Sequence, residues 1–128
     1  DSYPDRKQAA IVGLWKDNVT NQYTHYPRPQ DNGNHEDCSM VELKSADGHI
    51  FRIEADGAPF SFSALHYSDI DIATATHDYQ LIPSKYTYLK INCAVLGLGN
   101  GSCGPGVLKK YSIDRTKSHT LKFRMYIR

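Results

Sequence analysis

Residues 40–66 read MVELKSADGHIFRIEADGAPFSFSALH. Val41 and Leu43 alternate with Glu42 and Lys44. Phe51, Ile53 and Ala55 alternate with Arg52 and Glu54. Phe60, Phe62 and Ala64 alternate with Ser61 and Ser63. A period of two is the mark of a half-buried strand with one wet face. Asp47-Gly48 and Asp56-Gly57 separate the three runs. This dipeptide signals a hairpin whose turn positions take positive φ. Two such turns in succession predict an antiparallel meander.

The same pattern extends outward. Residues 119–128, HTLKFRMYIR, set Leu121, Phe123, Met125 and Ile127 against Lys122, Arg124, Tyr126 and Arg128. Residues 86–93 alternate with Leu89, Ile91 and Cys93 inward, and residues 11–15 read as a further strand. Residues 107–113 look extended. One segment differs: Ile70, Ala73, His77 and Leu81 recur at three- and four-residue steps. Ser68 and Asp71 form a capping-box pattern at its start. The acidic residues there suit the positive end of a helix, and Pro83 stops continuation. The spacing predicts one short helix over residues 69–78.

The chain has 128 residues, 40% apolar and 23% charged, which suits one globular domain. Lys plus Arg is 15 and Asp plus Glu is 14, a net charge of +1. That balance argues against an electrostatic nucleic-acid binder. The longest uncharged apolar stretch, residues 91–98, is far too short to span a bilayer, so no membrane partner is expected. The three cysteines, Cys38, Cys93 and Cys103, form no CxxC pair, and an odd number closes no disulfide framework. Free thiols in a half-buried sheet are the simpler reading.

Few residues carry a chemical signature. Residues 96–106 hold five glycines and one proline. A phosphate cradle would need a helix after the glycines, and here an extended run follows. The stretch is either a connection between strands or a binding loop whose glycines admit a ligand closely. His35, Glu36, Asp37 and Cys38 are metal-capable, but consecutive residues on an extended chain diverge. No metal site is expected there. His77 falls on the apolar helix face, where a buried structural histidine is expected. Glu42 and Glu54 sit opposite apolar residues on wet faces, and with Glu36 they form no catalytic pair. No GxSxG elbow occurs, and Cys103 has no obvious paired histidine. Nine tyrosines against four phenylalanines suit a sugar site or an ordinary β-sandwich equally. By residue chemistry this is an all-β antiparallel domain without an internal active site.

An ordered series of motifs adds a family likeness. Tyr3-Pro-Asp-Arg-Lys7, then Gln22-Tyr23, then Tyr26-Pro-Arg-Pro-Gln-Asp-Asn-Gly-Asn34 open it. Pro59-Phe-Ser-Phe-Ser-Ala64, Ala75-Thr-His77, Tyr88-Leu89, Leu96-Gly-Leu-Gly99 and Ser102-Cys-Gly-Pro105 follow in order, and then the last strand. Together these resemble the carboxy-terminal β domain of glycoside hydrolase family 2 β-galactosidases, over essentially the whole chain. The resemblance implies an antiparallel β-sandwich of the supersandwich, galactose mutarotase-like kind. It implies a parent that hydrolyses terminal β-D-galactosides with retention, by two glutamates in a preceding (β/α)8 barrel. The family's magnesium and sodium sites belong mostly to that barrel and its neighbours. The chain's expected partners are therefore the rest of the parent enzyme and its galactoside substrate. No catalytic residue, metal or cofactor is expected here.

The likeness further implies a carboxy-terminal fragment that lacks the front of its own sandwich and whose exposed edges pair between copies. The chain begins at Asp1, which suits a fragment better than a natural subunit. In the family the loop matching residues 97–105 reaches the active-site mouth, and some relatives place a stacking tryptophan there. This chain has Cys103 at that place, which offers no flat π face. Asn100, Ser102 and Cys103 are expected to line the aglycone side of the parent's pocket, or the loop is shaped for packing only. An independent carbohydrate-binding module and a small subunit of a two-chain β-galactosidase are the rival readings.

Overall fold

The computed structural model describes residues 1–6, 12–99 and 106–128. Six strands form two three-stranded antiparallel sheets. They are β1 (His35–Cys38), β2 (Met40–Lys44), β3 (Ile50–Ala55), β4 (Phe60–Leu65), β5 (Tyr88–Asn92) and β6 (Phe123–Ile127). One sheet has the order β1-β4-β5 and the other β2-β3-β6. The element content is that of an all-β sandwich with one short helix.

The core lies between the sheets. Val41 and Ile53 from one layer meet Phe60 from the other, with Phe51, Phe62, Leu89 and Ile91 around them. Phe60 is 1% exposed, and burying such a side chain contributes about 1.5–3 kcal/mol. The period-two reading placed these residues on the correct faces. It erred on connectivity. The β2–β3 pair is the expected hairpin, with Val41 opposite Ile53. Asp56-Gly57 instead carries the chain from one sheet to the other, because β3 and β4 face each other across the core. An Asp-Gly pair reports a reversal and not which layer the next strand joins. Both turn glycines have positive φ, 94° at Gly48 and 115° at Gly57. The preceding aspartates do not, so these are not type I′ turns.

The second correction concerns β4, which is buried on both faces. Ser61 and Ser63 are 4% and 2% exposed, where alternation put a wet face. Leu65, on the serine face, packs with Tyr23 and Ile72 in a second cluster. Tyr23 follows a 3-10 turn at Val19–Gln22, and Ile72 comes from the helix α1 (Asp69–Thr74). The segment before β1 and the helix α1 thus share in covering this face.

α1 starts as expected. The Ser68 hydroxyl accepts from Asp71 N at 3.1 Å, and Ser68 N donates to Asp71 Oδ2 at 3.2 Å. It ends four residues before Asp78. Ala75 is already extended, and a separate 3-10 turn follows at Asp78–Gln80. The Gln80 side chain takes the Thr76 and His77 amides, at 2.8 and 3.0 Å, so the second turn closes on itself. Ile72 is the buried residue of α1, while Ile70 is 73% exposed and His77 is exposed. The expected buried histidine is therefore corrected.

Other strand readings shift. β1 has no apolar alternation to mark it as a strand. It forms from polar residues because β4 supplies partners, with a register shift between His35 and Cys38. Asp37 takes φ 56° within it. Residues 12–15 are not a strand, and Val12, Leu14 and Trp15 are strongly exposed; Ile11 lies outside the described residues. Cys93 falls past the end of β5 and is exposed, not inward. Residues 109–111 form a 3-10 turn within the run read as extended. β6 pairs Met125 with Ile53 and Ile127 with Phe51, which puts its apolar row on the core side of its sheet. Yet Phe123, Met125 and Ile127 are 40%, 53% and 76% exposed.

Two stability outcomes follow from this packing. Phe60→Ala should cost about 3–5 kcal/mol in a urea titration, the range for truncating a buried phenylalanine. His35 stacks on Phe62 with ring centroids 4.9 Å apart, and burial, then the amino-terminal charge, lowers its pKa. The fold thus prefers neutral His35, and the unfolded chain takes the proton first as pH falls. Stability should drop as pH is lowered below ~6.5, and His35→Gln should flatten that slope.

Candidate functional site

The Tyr3-Pro-Asp-Arg6 motif is a reversal. Arg6 N donates to Tyr3 O at 2.9 Å across it. Proline presets φ for the second position of such a turn. Tyr3 is 7% exposed and anchors it. Ser2 fixes the approach: its N donates to Asn34 O at 2.6 Å, and Asn34 Nδ2 donates to Ser2 O at 2.8 Å. Asn34 stands in the Asp31-Asn-Gly-Asn34 stretch, whose own shape is fixed by side chains. Asn32, 1% exposed, accepts from Thr24 N at 2.9 Å and donates to Gln30 O at 2.9 Å. Asparagine side chains commonly stand in for backbone partners in this way.

The turn presents Asp5 and Arg6 to residues 97–99. Asp5 Oδ1 accepts from Leu98 N and Oδ2 from Gly99 N, each at 2.9 Å. Arg6 Nη2 donates to Gly99 O at 2.7 Å. Gly97 N donates to Tyr111 O at 3.1 Å. Two distant chain segments thus hold the base of the glycine-rich loop. The Leu98 amide, followed by the Gly99 amide, lowers the Asp5 carboxyl pKa below the ordinary carboxylate value. Gly97 permits this close approach: a Cβ there would lie 2.9 Å from Asp5 Cγ and Oδ2, so the carboxylate would have to shift. The sequence flagged both motifs but not their contact, since 93 positions separate Asp5 from Leu98.

Behind this clamp lies a cavity of about 310 Å³, lined by Tyr3, Ser63, Lys90, Asn92, Leu96 and Leu98 among others. Burial, then the charge of Asp31, pushes the Tyr3 phenol up to about 12, so it stays neutral. Lys90 Nζ meets Asp31 Oδ1 at 2.6 Å and Asp69 Oδ1 at 2.9 Å.

The residues expected to line a substrate pocket, Asn100, Ser102 and Cys103, lie outside the described residues. The structure places the base of their loop and nothing beyond it. The carboxylates on the wet sheet face stand as read. Arg52 bridges Glu42 at 2.6 Å and Glu54 at 3.2 Å, a charged ladder between strands. Burial, then Glu36 and Asp37, pushes the Cys38 thiol up to about 11, which is unfavourable for a nucleophile. Among the described residues no three His, Cys, Asp or Glu side chains come together to hold a metal ion. Among the described residues no helix is long and apolar enough to cross a membrane.

The fold and these contacts define an all-β sandwich segment organised around a held loop, with no catalytic pair among the described residues. Residues 1–127 match the profile of the family described as beta galactosidase small chain, and the chain belongs to that family. It is 34% identical over 129 residues to a beta-galactosidase of Arthrobacter sp. (strain B7), covering 98% of this chain and 13% of that protein. A beta-galactosidase of Staphylococcus xylosus is 34% identical over 125 residues, 95% of this chain and 12% of that protein. One from Actinobacillus pleuropneumoniae is 31% identical over 113 residues, 88% of this chain and 11% of that protein. The chain thus spans 11–13% of the length of these relatives.

Gly97→Ala should displace the Asp5 carboxylate and lower the melting temperature by several degrees in calorimetry. Gly106→Ala, with nothing within 4 Å of the added carbon, should leave it unchanged.

Proposed function

We propose that this chain is the carboxy-terminal β-sandwich segment of a retaining, family 2 β-galactosidase that removes terminal β-D-galactose. The observation that carries this is the match over nearly the whole chain to beta-galactosidases about eight times its length. In this reading the acid/base and nucleophile glutamates belong to a barrel outside the chain. Magnesium and sodium, where the parent uses them, belong there too. The chain supports that barrel and holds a loop at the aglycone side of its pocket. The Asp5–Arg6 clamp supports the second role, because it fixes the residues from which Asn100, Ser102 and Cys103 extend.

The exposed apolar row of β6 supports the first role. Phe123, Met125 and Ile127 continue the core face of their sheet, and all three stay substantially exposed. In this reading a further part of the β-galactosidase lies over the row. In the isolated chain the same row and the open sheet edges favour self-association.

The family's description as a small chain favours a second form of this proposal, in which the segment is a separate subunit of a two-chain enzyme. Both forms share one test, hydrolysis of a chromogenic β-galactoside. The chain alone should show no turnover. The corresponding β-galactosidase with this segment removed should be inactive and regain activity when the chain is added. Turnover by the pure chain, or full activity without it, would contradict the proposal.

A further inference from the structure

β6 is an edge strand among the described residues, and its ladder shows which groups that edge leaves open. Ile50 and Arg128 exchange both backbone hydrogen bonds, each at 2.9 Å, and Asp56 N donates to Lys122 O at 3.0 Å. Between these points the register is unbroken, with Arg52 opposite Tyr126 and Glu54 opposite Arg124. Bonded and non-bonded pairs alternate along an antiparallel ladder. Lys122, Arg124, Tyr126 and Arg128 therefore turn their backbone groups to β3. Phe123, Met125 and Ile127 turn theirs outward, to the open edge. The same three residues carry the exposed apolar side chains. An apolar edge of this kind is a template for a further strand. Charge says which strand fits. Residues 106–128 hold seven Lys and Arg against one acidic residue, Asp114, although the whole chain is only +1. Arg124 is held by Asp56 at 2.9 Å, while Lys122 and Arg128 form no ion pair among the described residues. A second β6, laid antiparallel with Met125 opposite its own copy, would bring Lys122 against Arg128. Like charges directly opposite are destabilising.

We propose that the outer edge of β6 is a strand-addition site for an extended segment that alternates apolar with acidic residues, supplied by the remainder of the β-galactosidase. In antiparallel pairing, the residues opposite Phe123, Met125 and Ile127 share the apolar face of the sheet. Those opposite Lys122, Arg124, Tyr126 and Arg128 share the cationic face. Apolar side chains suit the first set and carboxylates the second, which fixes a period of two in the incoming strand. Main-chain hydrogen bonds give such a contact its affinity, and alternate side chains give it specificity. The excess of positive charge also draws an acidic segment to this end of the chain. Only the source of the strand rests on the preceding reading; the open edge and its charge do not depend on it.

The test is an amide-resolved NMR titration of the whole chain with capped peptides of about seven residues, the length of an ordinary strand. One alternates valine with glutamate, one alternates valine with lysine, and one holds the valines and glutamates in separate blocks. The alternating valine–glutamate peptide should give saturable shifts centred on Phe123, Met125 and Ile127 and slow the exchange of their amides. It should bind about three- to tenfold more tightly than the valine–lysine peptide, a preference that added salt reduces. Lys122→Glu combined with Arg128→Glu should reverse that preference. Met125→Pro should abolish binding while the β2 and β3 amides stay protected, because the lost N–H faces the open edge. No shift on the β6 edge, equal binding of the three peptides, or a preference unaltered by the charge reversal would overturn the proposal. So would edge amides already protected in the free chain in proportion to its concentration, since a second copy then holds the edge. The source has its own arm: the β-galactosidase lacking this segment, added to the chain, should slow exchange across residues 123–127, and the valine–glutamate peptide should compete. Restored hydrolysis without that protection would overturn the strand-addition site and leave the galactosidase reading standing. Peptide binding with no restored hydrolysis would overturn the named source together with that reading.

Discussion

Burial of β4 on both faces is the constraint on which the rest of the structure depends. A three-stranded antiparallel sheet ordinarily shows one face to water. Here Phe60 and Ala64 face the opposing sheet, while Ser61, Ser63 and Leu65 are as deeply buried on the other side. Something must lie over the second face, and the segment before β1 does so together with α1. The Tyr23–Leu65–Ile72 cluster anchors one end of that cover. Tyr3 and the Asn32–Asn34 hydrogen bonds anchor the other.

The cover has a chemical consequence. The turn at residues 3–6 comes to rest against residues 98–99, beyond the end of β5 in the chain. Asp5 and Arg6 then satisfy three backbone groups that an irregular segment would otherwise leave to water. Cover and clamp are thus one arrangement, joining the chain's first residues to its glycine-rich loop. The β2-β3-β6 sheet lacks a comparable cover, and its apolar β6 row is exposed. Among the described residues the two sheets thus differ in how fully their apolar faces are covered.

The strands were legible in the sequence wherever one face is apolar and the other polar. Residues 40–44, 50–55 and 60–65 fall where alternation put them. β1 was not legible, because His-Glu-Asp-Cys has no apolar row and owes its strand to pairing with β4. The buried serine face was not legible either. Small hydroxyl residues alternate like wet ones, and only the tertiary cover buries them. The helix cap was readable at Ser68 and Asp71, since capping is local. The helix end was not, because the Gln80 side chain closes a second turn. For the site, both halves of the clamp stood out as motifs, but their contact spans the whole fold. Asn32 and Asn34 gave a usable signal in flanking Gly33 within a turn-rich stretch. That pattern suits side chains acting as backbone partners.

The central claim is that the amino-terminal turn holds the loop base through Asp5. Hydrogen exchange at the Leu98 and Gly99 amides, compared between the wild-type chain and Asp5→Ala, tests it most directly. The account predicts protection of both amides in the wild type and its selective loss in the variant, with the β4 amides still protected. Equal protection of Leu98 and Gly99 in the two proteins would contradict it.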